Sequence, residues 1–204
     1  MSERGGLWSI LEHPVVYETF QTLIGTRRWM RRFAQETIRA GSGERVLDIG
    51  CGPAALLRFL PGVAYIGIDY NEANIAQAKR IFGSRGHFIC DEISNFTRHE
   101  LAPVDIAVAI GMLHHVDDET ALSLLNATAA ALKPGGRLIT ADPCFHPEQS
   151  LVQRLVVSSD RGRHVRQFEH YGELCRAVFP QFRATFQRGH FPFPSSICIQ
   201  EAIA

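Results

Sequence analysis

Three aspartates, each closing or following an apolar run, are the residues of this chain best suited to hold a ligand. Asp48 stands two residues before Gly50-x-Gly52 in RVLDIGCGPAA (Arg45 to Ala55), Asp69 closes YIGID, and Asp91 follows HFIC. Glycines at 50 and 52 let the backbone bend and approach a ligand where a Cβ would clash. A fixed carboxylate at such a turn repels a pyrophosphate and attracts an ammonium group, and no Lys-Ser or Lys-Thr ending makes this a phosphate loop. Asp69, nineteen residues after Gly50, is placed to accept hydrogen bonds from a ribose diol. Tyr70 beside it can lie on an adenine face, and Asp91 can accept from the adenine amino group. The ligand so described is adenosine-like, free of phosphate, and carries an amine.

S-adenosylmethionine meets that description, and its chemistry sets the next requirement. Methyl transfer is an in-line displacement at an electrophilic sulfonium. The protein must align the nucleophile with the methyl carbon and, for a hydroxyl or acidic carbon, remove its proton. His114 and His115 follow the apolar run VDIAVAI, at the edge where the methyl should point. Imidazole is the side chain whose ordinary pKa lies nearest neutrality. Adjacent residues face differently, so at most one of the two reaches an acceptor; a His that merely closes the loop is the competing reading. Further on, SDRGRHVR gathers Arg161, Arg163 and Arg166 about Gly162. Arginines so placed can bind a carboxylate or phosphate bidentately, which makes Arg163 and Arg166 the expected contacts to an anionic acceptor. The alternative is a solvated basic loop.

The elements that must position these groups can be read in order. Residues 7–40 look helical and amphipathic, with Trp8, Tyr17, Phe20, Trp29 and Phe33 on one side and Arg27, Arg28, Arg31 and Arg32 on the other. They either pack on the sheet or cap the ligand cleft. Strand one ends at Asp48, and Pro53 suits the first position of a helix reaching Leu60. Strand two (Ala64–Ile68), a helix capped by Asn71, a short strand (His87–Cys90) and the continuous apolar strand Val104–Ile110 follow. A helix opened by Asp117 or Asp118 ends at Lys133-Pro134-Gly135-Gly136, ahead of strand five (Arg137–Ala141). Helices near 149–157 and 169–179 and a hairpin near 182–187 and 197–202 complete the chain. Regular alternation of strands and helices implies a doubly wound, mostly parallel α/β sheet. The expected organisation is one domain: a helical cap (1–43), a ligand-binding core (44–143), substrate-side helices and loop (144–180) and a closing β-hairpin (181–204).

With 204 residues and 46% apolar content, the chain can bury one good core. Its formal net charge is zero, which removes the general electrostatic attraction of a nucleic-acid or membrane-surface binder. Cys51, Cys90, Cys144, Cys175 and Cys198 lack C-x-x-C spacing. They read as buried thiols of a reducing compartment, with neither a disulfide frame nor a metal site. The first residues lack the apolar centre of a signal peptide, and the expected location is cytoplasmic.

In order, VLDIGCGPA, IGIDYN, CDEI, DIAVAIGMLHHVDD and LKPGGRLITADP, over about residues 44–143, resemble the successive motifs of class I S-adenosylmethionine-dependent methyltransferases of the small-molecule type. The resemblance implies a Rossmann-like, seven-stranded sheet whose last strand is antiparallel. It places Asp48, Gly50 and Gly52 at the methionine portion of S-adenosylmethionine, Asp69 at the ribose, and Asp91 at the adenine, with Glu92, Tyr70 and Ile110 alongside. Tyr17 becomes a candidate for the cofactor carboxylate. In members that use a His base, an acid after strand five orients it, the place held here by Asp142. Amino-group methyltransferases of nucleic acid bases carry an Asn-Pro-Pro-Tyr motif where this chain has Ile110-Gly111-Met112-Leu113. The expected substrate is therefore a small metabolite, a natural-product or sugar-derived precursor able to carry an anionic group. A macromolecular (protein or RNA) methyltransferase and a non-catalytic cofactor-binding domain remain the alternatives.

Overall fold

The computed structural model describes residues 26–92, 95, 101, 103–160, 162–189 and 194–204; Tyr17 and Arg161 lie outside them. The centre of the molecule is set by two apolar strands. In β1 (Arg45–Ile49) and β4 (Val104–Ile110), Val46, Leu47, Ile49, Ile106, Ala107 and Val108 are almost wholly buried. Burial on both faces requires helices above and below, and residues of this kind satisfy it. The strands pair in parallel, Val46 opposite Ile106 and Asp48 opposite Val108. Asp105 ties their starts together, accepting from the Arg45 amide at 2.8 Å and from Lys133 Nζ at 2.6 Å.

Outward from β1 lie β2 (Ala64–Asp69) and β3 (Gly86–Cys90), both parallel. On the other side come β5 (Leu132–Phe145), then β8 (Ser196–Ile203) and β7 (Gln181–Arg188), giving the order β3-β2-β1-β4-β5-β8-β7. β8 is antiparallel to both neighbours, so the expected closing hairpin is present. A two-residue strand, β6 (Arg166–Gln167), adds to the end of β5 off this path. The chain reverses its direction of winding between β1 and β4. In open α/β sheets that reversal opens a crevice at the carboxyl ends of the strands.

Helices cover both faces. The α1 helix (Thr26–Phe33) packs Trp29 and Phe33 with Leu57, Ile75 and Phe82 in one core cluster, while Arg27, Arg28, Arg31 and Arg32 are exposed. α2 (Glu72–Phe82) starts where Asn71 accepts from the amides of Ala73 and Asn74. α3 (Asp118–Ala131), capped by Asp117, packs with α5 (Phe168–Val178) over Leu113, Tyr171 and Phe179 in the second cluster. Between them α4 (Leu151–Ser158) begins with a reciprocal capping box of Ser150 and Gln153.

Three expectations need correction. Pro53 does not open an α-helix: Ala54 is left-handed (φ 57°) and a 3-10 turn follows at Ala55–Phe59. The left-handed residue turns the chain sharply out of the Gly50–Gly52 loop. Lys133-Pro134-Gly135-Gly136 does not end the helix ahead of strand five but belongs to β5, which begins at Leu132 and whose register against β4 shifts between Val104 and Ile106. Cys90 is exposed, whereas the other four cysteines are buried free thiols. Among the described residues no helix is long and apolar enough to cross a membrane.

Candidate functional site

A cavity of about 470 Å³ opens where β1, β4 and β5 end. Asp48, the Gly50–Pro53 turn, Ile110, Gly111, Ala141, Asp142 and Pro143 form its floor; Thr26, Trp29 and Met30 of α1 and Val156 and Val157 of α4 form its walls. Gly50 and Gly52 adopt φ of 72° and 54°, conformations that a Cβ strains. The space above Gly52 is open, with no atom within 4 Å of where a Cβ would stand. The amides of Gly50 and Cys51 both donate to the Ile68 carbonyl, at 2.9 and 3.0 Å, which fixes the turn to the end of β2.

Asp69 completes this lock. Its Oδ2 accepts from the Gly52 amide at 2.8 Å and its Oδ1 from the Asn71 amide at 2.9 Å and Asn74 Nδ2 at 3.2 Å. A carboxylate offers about four acceptor positions, so one remains for a ligand hydroxyl. Tyr70, next along, is 70% exposed, an aromatic face open to solvent. Asp91 accepts from the Glu92 amide and Asn95 Nδ2, and its own amide donates to the Asp69 carbonyl. Asp69, Tyr70, Asp91 and Glu92 thus sit along the ends of β2 and β3, beside the cavity and not in its lining.

Asp48 is 4% exposed and accepts a hydrogen bond from the Tyr65 hydroxyl. Burial pushes its pKa up to about 7, the negative charge of Asp69 adds to the effect, and the Tyr65 bond opposes it. A buried acid with so high a pKa prefers either a proton or a cationic neighbour. Among the described lining residues there is no Lys or Arg.

At the other end of the cavity His114 is buried within a short 3-10 turn (Leu113–His115) after β4. Asp142 Oδ1 lies 2.8 Å from its Nδ1 and also accepts the His114 amide at 3.2 Å. The pair joins the ends of adjacent parallel strands, and Asp142 itself is 1% exposed. Asp160 Oδ1 stands 3.3 Å from Nε2. The His115 ring is 4.1 Å from that of His114, centroid to centroid, tilted and more exposed. Partial burial lowers its pKa, as does His114; Asp160 and Asp142 act against this.

The basic loop is rearranged relative to the sequence expectation. Arg166 is 6% exposed, and its guanidinium donates to Asp118 Oδ1 and to the carbonyls of Leu113 and Val116, each at 2.7 Å, and to the His164 carbonyl at 3.2 Å. It lies over the Tyr171 ring. Arg166 therefore staples the two sides of the His114 turn with four of its five N–H donors, and it does not line the cavity it was expected to serve. Arg163 is exposed and does not line the cavity. Gly162 serves the same staple: a Cβ there would collide with the His114 ring and carbonyl, and the His164 amide donates to that carbonyl at 3.0 Å.

Sequence reasoning missed Asp160, Ser195 and Ser196, all of which line the cavity. Asp160 had one available signal, Gly162 two residues on, since a glycine between polar residues often marks close approach of two segments. The serines had none.

The family described as Methyltransferase domain matches residues 24–181. The ubiquinone biosynthesis O-methyltransferase of Bradyrhizobium sp. (strain ORS 278) is 37% identical over 105 residues, covering 49% of this chain and 40% of that protein. The O-methyltransferase resE of Aspergillus sclerotiorum is 31% identical over 147 residues, covering 69% of this chain and 53% of that protein. The chain thus spans about half or less of the length of these relatives. Among solved structures, an S-adenosylmethionine-dependent methyltransferase from Archaeoglobus fulgidus matches with a TM-score of 0.71 at 17% identity, covering 92% of this chain and 99% of that one. At that identity the likeness is one of fold.

Proposed function

The chain belongs to the methyltransferase-domain family of class I S-adenosylmethionine-dependent enzymes, and from that premise we propose that it methylates a hydroxyl of a small, uncharged metabolite, with His114 as the base. The observation that carries the reading is the His114 Nδ1–Asp142 Oδ1 pair at 2.8 Å, placed in the same cavity as the Gly50–Gly52 turn. Relatives named as O-methyltransferases support a hydroxyl acceptor.

The residues present fit the cofactor. Asp48 is a buried carboxylate at a cavity whose described lining holds no Lys or Arg, Gly52 leaves open space, Asp69 keeps acceptor capacity, and Tyr70 offers an exposed ring. Asp48, Gly50 and Gly52 would hold the methionine portion, Asp69 the ribose, Tyr70, Asp91 and Glu92 the adenine side, with Ile110 at the floor. S-adenosylmethionine, once bound, supplies an electrophilic methyl on a sulfonium. The protein's own part is proton management. Asp142 accepts from Nδ1–H and fixes the tautomer, which leaves Nε2 to take a proton from an acceptor hydroxyl. Asp160 stands on that side of the ring, so the hydroxyl enters between Nε2 and Asp160 or displaces the latter.

An anionic acceptor rested on the loop arginines. Arg166 is committed elsewhere, and Asp48, Asp142 and Asp160 make the described lining acidic, so an uncharged acceptor is the better match. Incubation with radiolabelled cofactor and fractionated cell extract tests the reading. Label should enter small molecules; label in protein or RNA would indicate a macromolecular substrate, and no transfer at all would leave a cofactor-binding domain. Asp69→Ala should weaken S-adenosylhomocysteine by roughly 1.5–3 kcal/mol, the scale of hydrogen bonds to a charged acceptor. Unchanged affinity by calorimetry in a folded variant would contradict the cofactor assignment.

Asp48 adds a pH dependence. Its folded pKa is about 7 against 3.8 when unfolded, so between these values the folded chain binds the extra proton. Cofactor-free stability should accordingly fall as pH rises through that window. A ligand ammonium needs the deprotonated form, so affinity should rise about tenfold per unit up to pH 7 and then level. Calorimetry in buffers of different ionisation heat should show proton release on binding at pH 6. An Asp48→Asn protein should lose both dependences; a wild-type affinity flat from pH 5.5 to 8 would remove Asp48 from the ammonium site.

A further inference from the structure

Three polar side-chain atoms of residues lining the cavity have no partner among the described residues. Asp142 Oδ2, Ser195 Oγ and Ser196 Oγ are buried without a hydrogen bond, and all three residues line the cavity. Their exposures are 1%, 6% and 2%. Buried polar atoms in native folds are normally satisfied, and an exception calls for a reason. The three are not scattered. Asp142 is paired across the sheet with Cys198, and Ser196, two residues before Cys198, shares its face by strand alternation. Ser195 is held in place separately: its carbonyl accepts from Gln153 Nε2 at 3.1 Å. Gln153 belongs to the capping box of α4, the helix whose Val156 and Val157 wall the same cavity. The backbone at the serines is thus pinned, while their hydroxyls can reach the cavity by rotation about χ1, which for Ser has three staggered wells.

We propose that Ser195, Ser196 and Asp142 Oδ2 form a subsite for a second hydroxyl of the acceptor, distinct from the hydroxyl that His114 deprotonates. The inference rests on the methyl-transfer reading above and specifies its substrate class: a dihydroxylated, otherwise apolar molecule. The chemistry of the three atoms selects among candidate groups. Serine hydroxyls both donate and accept, whereas an ionised Asp142 oxygen only accepts. A ligand hydroxyl satisfies both kinds at once. A carbonyl answers the serines but leaves Asp142 Oδ2 without a donor, and a carboxylate is repelled by it. Asp142 then has two duties, Oδ1 orienting the base and Oδ2 registering the acceptor against it. The apolar body of the acceptor lies against Trp29, Met30, Val156 and Ile197, which line the same space.

The test uses small probes whose ring fits such walls: phenol, 1,2-dihydroxybenzene, 1,3-dihydroxybenzene and 2-hydroxybenzoate. Each is titrated by calorimetry into the full chain, both alone and saturated with S-adenosylhomocysteine. At least one dihydroxybenzene should bind about tenfold more tightly than phenol, the discrimination expected from a single well-made hydrogen bond at a buried site, and 2-hydroxybenzoate should gain nothing over phenol. In the Ser195→Ala/Ser196→Ala protein, whose melting temperature and S-adenosylhomocysteine affinity report on folding, that advantage should shrink to threefold or less. Equal binding of phenol and both dihydroxybenzenes by the wild-type chain, or no detectable dihydroxybenzene binding, overturns the subsite whatever the variant does. So does an advantage that survives in the double variant, because the serines then face only water. Failure to bind S-adenosylhomocysteine sinks the methyl-transfer reading instead, and the probe titrations without it still decide the subsite.

Discussion

His114→Ala is expected to lower kcat by about 10²–10⁴, the usual worth of a positioned general base, while cofactor affinity barely changes. The split follows from position. His114 lies at the end of β4 against Asp142, with Nε2 directed away from that pair, whereas the residues suited to the cofactor lie along β1, β2 and β3. Asp142→Asn should act in the same direction: an amide can present either its oxygen or its NH₂ to Nδ1, so the imidazole tautomer is no longer set. Loss of the Asp142 charge also removes support for the ring once it takes the acceptor's proton. His115→Ala should cost far less, since among the described residues that ring has no carboxylate at hydrogen-bonding distance, and it has more solvent contact. Single-turnover measurement at saturating cofactor isolates the chemical step. Full kcat in both His114→Ala and Asp142→Asn under those conditions would mean that alignment alone drives transfer.

The turn proposed to hold the cofactor was legible as structure because it is written locally. A strand, a carboxylate, two glycines and a second carboxylate at the next strand end are all determined by short-range pattern, and the structure brings Asp48, Gly50, Gly52 and Asp69 together through the pairing of β1 with β2, the turn amides on the Ile68 carbonyl and the Gly52 amide on the Asp69 carboxylate. The His114–Asp142 pair was legible for a related reason, since parallel neighbours β4 and β5 bring their ends side by side. What the sequence hid depends on long-range packing. Ala54 takes a left-handed conformation that nothing in GCGPAAL announces, and propensity alone favours a helix after Pro53. Asp160 reaches His114 only because Gly162 lets the loop pack directly on it. Ser195 and Ser196 carry no local signal; their place in the cavity follows from the antiparallel insertion of β8 beside β5.

Arg166 shows most clearly how charge in a sequence can mislead. Three arginines around a glycine suggest an anion site, but the Arg166 guanidinium is turned inward, where it donates to three carbonyls and one carboxylate. Arg166→Ala should therefore cost stability before it costs acceptor binding. Two of those carbonyls, of Leu113 and Val116, belong to the turn carrying His114; the third, of His164, belongs to the loop that closes over it. Removing the donor takes these bonds away at about 1 kcal/mol each, the Leu113 carbonyl keeping only a long bond from the Val116 amide at 3.4 Å, and loss of the ion pair to a half-exposed Asp118 adds a smaller amount. The sum is roughly 3–4 kcal/mol, which for a chain of this size corresponds to a melting temperature lower by about 10 °C. Arg166→Lys should recover little, because one ammonium cannot span donors that diverge in a planar fork. At temperatures where the variants stay folded, kcat should fall as the His114 turn loosens, with S-adenosylhomocysteine affinity kept. A substrate-binding arginine would give the opposite pattern, an unchanged melting temperature with a raised acceptor KM, and that result would restore the anion-site reading of the loop.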